Sequence, residues 1–165
     1  MCFAASASFV AGTALLAVGA VTVRKASTRA EVPFAAIPLL FGIQQLVEGA
    51  LWVVLVADAA RAGTVLTQVY SLFSHVLWPA YVPAETLLLE PVAWRRKMLS
   101  DLFVLGTVTA LYLLYTLVRF PIIADAAGGH IRYLAVHLYV PWVMAAYLAA
   151  TTVSLCLSSH RAVVG

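Results

Sequence analysis

Five long apolar runs constrain this chain more than any other feature of its sequence. An α-helix crosses the hydrocarbon of a bilayer with about 17 to 25 residues, or more if it is tilted, and each run is long enough to do so. Lipid-exposed backbone must form helices or a closed barrel, and these runs lack the alternating pattern of barrel strands. We therefore predict an all-α fold in which residues 1–165 form a single transmembrane helical domain, a bundle of five transmembrane helices. The runs are Phe3 to Val23, Val32 to Val56, Thr64 to Leu89, Leu102 to Val118 and Tyr133 to Leu157.

The composition indicates where such a chain is located. Of its 165 residues, 64% are hydrophobic and only 10% are charged, which is too little charge to cover a water-soluble protein of this size. The first run is not a cleavable signal peptide, because its positive charges, Arg24, Lys25 and Arg29, follow it. We expect a multi-pass protein of the inner (plasma) membrane, with the lipid bilayer as its surroundings.

The loop charges predict the orientation, because Lys and Arg are retained on the cytoplasmic side of a membrane. Five spans would place seven of these residues on one side and three on the other. This distribution predicts an outside N-terminus and a cytoplasmic C-terminus. It also accounts for the net charge of +3, so we expect no nucleic-acid partner. The seven are Arg24, Lys25, Arg29, Arg95, Arg96, Lys97 and Arg161; the three are Arg61, Arg119 and Arg132.

Polar residues recur within the apolar runs at spacings of three and four, which places them on one face of each helix. An ionisable side chain in hydrocarbon costs about 2.5 to 3.5 kcal/mol, so each one needs a partner or a function. The second helix carries Gln44, Gln45, Glu48 and Trp52, and the third carries Ser71, Ser74, His75, Trp78, Tyr81 and Glu85. The fourth carries Thr109, Tyr112, Thr116 and Arg119, and the fifth carries His130, Tyr133 and His137.

These polar faces reach similar depths in the membrane. At a rise of 1.5 Å per residue, Glu48 lies about 13 Å below the outer boundary, His75 about 16 Å and His137 about 8 Å. We therefore predict one polar pocket in the outer half of the membrane, open to the outside. Pro79 and Pro83 predict a bend in the third helix beside it. The predicted pocket consists of Gln45, Glu48, His75, Trp78, Tyr112 and His137.

Three functions fit such a pocket, and we predict the first. It is a binding or accessory membrane protein in which the polar side chains hydrogen-bond between helices. The alternative is a membrane-embedded enzyme that depends on a transition metal or haem and uses Glu48 with His75 or His137. Cys2 is a further metal ligand in that alternative, as an amine and thiol pair if Met1 is removed, although no HxxxH, HxxE or CxxC spacing is present. The second alternative is a proton relay or small-solute transport.

Several segments of the chain carry a resemblance to known sequences. They are "MCFAASASFVAG", "PLLFGIQQLVEGALW", "VLWPAYVP", "LLLEP" and "SLCLSSH". Together they resemble a family of uncharacterised bacterial polytopic membrane proteins that begin Met-Cys-Phe-Ser-Ala, although position 4 is Ala here. The resemblance implies no activity. Its members continue through further helices after the segment that matches Ser158 to His160, which implies a shorter variant, a fragment or a chain that completes its bundle with a partner. We expect a homo-oligomer or a subunit of a membrane complex.

Overall fold

The computed structural model describes residues 5–127, 129–135 and 140–159, which form a helical bundle and one β-hairpin. Two π-helical segments, Leu72–Leu77 and Ala149–Val153, connect α4 to α5 and α7 to α8. The strands β1 (Ile123–Ala127) and β2 (His130–Leu134) pair in antiparallel register. The helices are α1 (Ala5–Lys25), α2 (Glu31–Ala35), α3 (Ile37–Val56), α4 (Ala60–Ser71), α5 (Trp78–Leu89), α6 (Ala93–Arg119), α7 (Pro141–Leu148) and α8 (Ser154–Leu157).

Three helices of the described chain are long and apolar enough to cross a membrane: Ala5–Lys25, Glu31–Val56 and Ala93–Arg119. The run Ala60–Leu89 also remains helical, but the first π segment divides it. The last run, Pro141–Leu157, is shorter than these three spans. A mostly helical protein was predicted from the sequence, and the structure confirms that part of the prediction, with three helices that are long and apolar enough to cross a membrane. The five spans stay a prediction.

The β-hairpin corrects the prediction for the fifth helix. That helix was expected to begin at Tyr133, but Tyr133 lies in β2 and the last helical run begins at Pro141. Asp125 to Ala127 belong to β1, and His130 begins β2. Arg132 lies opposite Asp125 and donates to both of its carboxylate oxygens, at 2.9 and 2.8 Å. This cross-strand pair favours a hairpin, so the predicted all-α class omits a small two-stranded sheet.

The hairpin packs on the end of the bundle where α3 ends and α4 begins, which we call the hairpin end. Ile131 is buried in a cluster with Leu51 and Trp52 of α3. Gln68 of α4 donates from Nε2 to the carbonyl oxygen of Ile122, at 2.9 Å. The hairpin is therefore held by side chains of two helices.

The opposite end of the bundle contains the α1–α2 and α5–α6 loops, and we call it the basic end. Its exposed basic side chains are Arg24, Lys25, Arg29, Arg96 and Lys97. Arg95 is half-buried, and its guanidinium lies over the Trp94 ring at 5.1 Å. The structure thus separates most of the positive charge from the hairpin end.

Glycines allow two pairs of helices to approach each other closely. A Cβ atom at Gly19 of α1 would overlap Leu39 of α3, and one at Gly106 of α6 would overlap the Pro79 carbonyl oxygen of α5. Pro83 has no N–H to donate to that oxygen, which lies four residues earlier in the same helix. Gly106 approaches the carbonyl instead, so α5 and α6 pack backbone to backbone.

The centre of the bundle is α5, which is buried around much of its circumference. Its buried residues include aromatic, proline, aliphatic and polar side chains, and α6, α8 and α2 all contact it. The buried residues of α5 are Trp78, Pro79, Val82, Pro83, Glu85, Thr86 and Leu89. The core of the fold therefore lies around the segment that the sequence marks with two prolines.

Candidate functional site

A hydrogen bond between α3 and α5 organises the middle of the bundle. The indole Nε1 of Trp78 donates to Oε1 of Gln44, at 2.9 Å, and both side chains are buried. The Phe41 ring stacks on Trp78 with centroids 4.1 Å apart and planes at 18°, and the Tyr81 ring meets Trp78 edge-on at 6.2 Å. These contacts fix the indole, and they fix the height of α3 relative to α5.

A second hydrogen bond connects the last helical run to the first π segment. Pro79 has no N–H to donate to the carbonyls of the turn before it. In that turn, the carbonyl oxygen of Ser74 accepts a hydrogen bond from the Tyr147 hydroxyl at 2.8 Å. Interruptions of the regular α-helical ladder such as this π segment are frequent at functional sites. Because Pro79 lacks an N–H, the Ser74 carbonyl oxygen is available to the Tyr147 hydroxyl, which joins the two helical runs.

The Trp78–Gln44 and Tyr147–Ser74 contacts border a cleft of about 400 Å³. The exposed side chains at its edges are Phe41 and Leu155, while Gln44, Trp78 and Val82 are buried in its lining. Its residues come from three helical runs, so the cleft lies between α3, the run that contains α5 and the last helical run. The lining residues are Ile37, Phe41, Gln44, Ser74, Trp78, Val82, Tyr147, Thr151 and Leu155.

Glu48 and His75 each lie near one partner of the Gln44–Trp78 hydrogen bond. Glu48 is buried one turn from Gln44 toward the hairpin end, and His75 lies one turn from Trp78 in the same direction. Nδ1 of His75 is 2.8 Å from Ser74 Oγ and 3.3 Å from the Ser71 carbonyl oxygen.

The other predicted pocket residues are placed less uniformly. Trp78 lines the cleft. The half-buried Gln45 does not line it, although the neighbouring Gln44 does. Tyr112 is 40% exposed on α6 and is not part of the cleft lining. His137 and Cys2 fall outside the described residues. The structure therefore brings Trp78 to the cleft, whereas neither Glu48 nor His75 lines it.

Metal binding was an alternative prediction, with Cys2, Glu48, His75 and His137 as ligands. Within the ranges that the structure describes, no group of three or more His, Cys, Asp or Glu side chains is placed to hold an ion. Only Glu48 and His75 of the predicted ligands belong to those ranges. The metal or haem prediction stays a prediction.

A buried carboxylate at the basic end holds the end of the last helix. Glu90 accepts hydrogen bonds from the Ser159 amide at 2.7 Å, the Ser159 hydroxyl at 2.6 Å and the Val92 amide at 2.9 Å. Arg95 also donates to the carbonyl oxygen of Leu157, at 3.2 Å. We call these contacts the Glu90 clasp. The clasp joins two segments that are 69 residues apart in the chain.

The clasp determines the protonation of Glu90. Burial alone would raise the pKa of the Glu90 carboxyl, but the hydrogen bonds from Ser159 and Val92 and the charge of Arg95 outweigh burial. The pKa of Glu90 therefore lies below its ordinary value of 4.5. The carboxylate is ionised near neutral pH, and its hydrogen bonds are charge-assisted.

Sequence reasoning missed Tyr147, Thr151 and the Glu90 clasp. Tyr147 and Thr151 lie in an apolar run without an ionisable neighbour, so no charge pointed to them. A signal for the clasp was present, because the "LLLEP" and "SLCLSSH" segments both carry the family resemblance. The two segments are in contact through Glu90 and Ser159.

The full length of the chain can be compared with known protein families. A family model described as a family of unknown function, DUF6629, matches residues 1–165. The chain belongs to the DUF6629 family. This match confirms the resemblance to an uncharacterised family, and its description gives DUF6629 no activity. No curated protein matches the chain, and no solved structure matches it.

Proposed function

We propose that this DUF6629 protein is an integral inner-membrane protein that crosses the bilayer five times, with its N-terminus outside and its C-terminus in the cytoplasm. The separation of basic side chains between the two ends of the bundle supports this orientation. An exposed apolar stripe along α6 supports contact with lipid, because a soluble protein rarely exposes so continuous a surface. The stripe consists of Val104, Val108, Leu111, Tyr115 and Val118.

Cysteine labelling in intact cells tests the orientation. In a background with Cys2 and Cys156 changed to Ser, Asp58→Cys places a thiol at the hairpin end and Asp101→Cys places one near the basic end. We expect a membrane-impermeant maleimide to label Asp58→Cys in intact cells and Asp101→Cys only after permeabilisation. The reverse pattern, or labelling of both in intact cells, would contradict the proposed orientation.

We further propose that the protein binds a small, membrane-dissolved molecule that enters the cleft from the side. One observation carries this proposal: a cleft of about 400 Å³ in which an apolar lining surrounds a few positioned polar groups. Ligand sites in proteins are generally concave, mostly apolar and fitted with a small number of oriented polar groups. A ligand dissolved in the bilayer reaches such a cleft without crossing water.

This proposal moves the binding position from the one expected from the sequence. The predicted pocket centred on Glu48 and His75 and was open to the outside, whereas neither residue lines the cleft, which lies between three helical runs. The proposed function is still ligand binding, but the ligand enters from the bilayer and not from the water outside.

Quenching of Trp78 fluorescence tests the binding function. The other three described tryptophans, Trp52, Trp94 and Trp142, are changed to Phe so that Trp78 alone reports. A long-chain bromoalkane should quench Trp78 saturably in detergent solution, because the bromine enters the cleft beside the indole. Thr151→Phe fills the cleft and should abolish the saturable component.

The matched control is Val153→Phe, on the same π segment, because Val153 is 41% exposed and does not line the cleft. This control should keep the saturable quenching. Thermal unfolding of both variants shows whether they fold. Quenching that rises linearly with bromoalkane, or that survives in Thr151→Phe, would mean that the cleft does not bind the probe.

A further inference from the structure

The amide of Gln44 presents a hydrogen-bond donor to the cleft. Trp78 Nε1 is a donor only, so the amide group that faces it must be the oxygen. The amide nitrogen, Nε2, therefore points away from the indole, and none of the described residues accepts a hydrogen bond from it. Nε2 is also absent from the fully enclosed polar atoms without a partner, so it retains accessible surface. Gln44 is one of the residues that line the cleft, and we take this surface of Nε2 to face the cleft.

The rest of the lining determines which ligands are excluded. None of the nine lining residues carries a formal charge near neutral pH. The hydroxyls of Tyr147 and Thr151 already donate to backbone carbonyl oxygens, of Ser74 at 2.8 Å and of Tyr147 at 2.9 Å. An ionised ligand would leave water without gaining an opposite charge, which is strongly unfavourable in hydrocarbon. The cleft therefore favours a neutral ligand.

The depth of Gln44 narrows the ligand class further. Gln44 lies near the middle of the helical run Glu31–Val56, about 20 Å from its first residue. The hydrocarbon core of a bilayer is about 30 Å thick, so phospholipid esters lie about 15 Å from its midplane. An ester at that boundary does not reach Gln44. The acceptor that meets Nε2 must belong to a molecule that dissolves in the bilayer interior.

We infer that the ligand is a neutral lipophile with a carbonyl oxygen, such as a ketone or a quinone, and that Gln44 Nε2 donates the hydrogen bond that selects it. This inference rests on the proposed binding function of the cleft. Trp78 has a positioning role, because it holds the amide with its nitrogen toward the ligand. An unpartnered donor in an apolar cleft gains most from an acceptor that brings no charge.

A matched pair of probes tests the inference. Binding of an isotope-labelled long-chain ketone with a central carbonyl is compared with binding of the labelled alkane of equal length, with protein-free micelles subtracted. The ketone should bind the unmodified protein about five- to tenfold more tightly than the alkane, because one net hydrogen bond distinguishes them. Gln44→Met removes the donor at similar side-chain length, so the ratio of the two affinities should fall to about one.

Two further variants complete the test. Gln45→Leu changes the neighbouring glutamine, which does not line the cleft, and should keep the ketone preference. Trp78→Phe leaves Gln44 in place but removes the group that orients it, so the preference should be reduced. If Gln44→Met does not fold, Trp78→Phe decides, and an unchanged preference in that variant would overturn the inference.

The possible failures of the two proposals are distinguishable. Equal binding of ketone and alkane by the unmodified protein would overturn the carbonyl inference and leave the binding function standing. Specific binding of neither probe would overturn both. A tighter complex with a phospholipid-derived fatty acid than with the ketone would show that the cleft accepts an ionised lipid, and would also overturn the inference.

Discussion

Two buried glutamates near the basic end of the bundle differ in what surrounds them. Glu85 and Glu90 have 0% and 1% of their surface exposed, and only four residues lie between them. Glu90 accepts three hydrogen bonds, whereas neither carboxyl oxygen of Glu85 has a hydrogen-bond partner within the described part of the chain. Burial alone therefore does not show what a carboxyl group does in this protein.

The backbone explains the difference between the two sites. Glu90 follows the last residue of α5, and the N–H groups of Val92 and Ser159 lie outside helices, so they need acceptors. Glu85 lies inside α5, where the nearby N–H groups serve the helix itself. The first glutamate stabilises a junction, and the second is a polar group that the fold tolerates. Four measurements test this difference between Glu85 and Glu90.

The largest effect is expected from Glu90→Ala. The change leaves the Ser159 and Val92 donors without their acceptor, and a hydrogen bond to a charged group contributes about 1.5 to 3 kcal/mol. The free energy of unfolding should fall by about 3 kcal/mol, measured by denaturation in mixed micelles. Asp101→Asn, at an exposed carboxylate, is the control and should change it little. A Glu90→Ala protein as stable as the control would show that the clasp does not stabilise the fold.

The opposite sign is expected from Glu85→Met. Methionine has a similar size and removes two buried oxygens that lack partners, so the free energy of unfolding should rise by about 1 to 2 kcal/mol. Leu88→Met, at an exposed position of the same helix, should have a smaller effect in the same assay. A large loss of stability in Glu85→Met would contradict the proposed difference between the two glutamates, because it would mean that Glu85 has a stabilising partner in the membrane.

A smaller loss is expected from Ser159→Ala. The variant removes the hydroxyl donor at 2.6 Å but keeps the Ser159 amide donor, so the free energy of unfolding should fall by about 1 kcal/mol. Ser100→Ala, at an exposed serine, is the matched control. The double variant Glu90→Ala with Ser159→Ala should be no less stable than Glu90→Ala alone, and additive losses would count against a direct interaction.

The smallest effect is a pH dependence, because only part of the relevant range is accessible before other groups titrate. The folded-state pKa of Glu90 lies below its ordinary value of 4.5, so its contribution to stability is complete above about pH 4.5. The contribution is lost as the pH falls through the lowered pKa. The stability difference between the unmodified protein and Glu90→Ala should therefore narrow in acid, and a difference that widens would mean that the pKa is raised.

The sequence predicted the helical runs well and the site only in part. Apolar runs of sufficient length indicated the first three helical runs to within about four residues, whereas α6 begins at Ala93, nine residues before the predicted Leu102. The spacing of polar residues also placed Trp78 in the predicted pocket, and Trp78 lines the cleft. Gln45 was the glutamine predicted for the pocket, whereas Gln44 accepts the hydrogen bond from Trp78 and lines the cleft. Adjacent helical residues point about 100° apart, and the sequence supports both glutamines equally until the partner helix is placed.

The sequence by itself determined that this chain forms apolar helices with their positive charge gathered at one end, because hydropathy and charge are properties of each residue. Three features became visible only in the folded arrangement: the strand at residues 130–134, the cleft between helices and the contact of Glu90 with Ser159. These features depend on contacts between segments far apart in the chain. Such contacts depend on the rotation and height of each helix, and the Trp78–Gln44 and Tyr147–Ser74 hydrogen bonds set both.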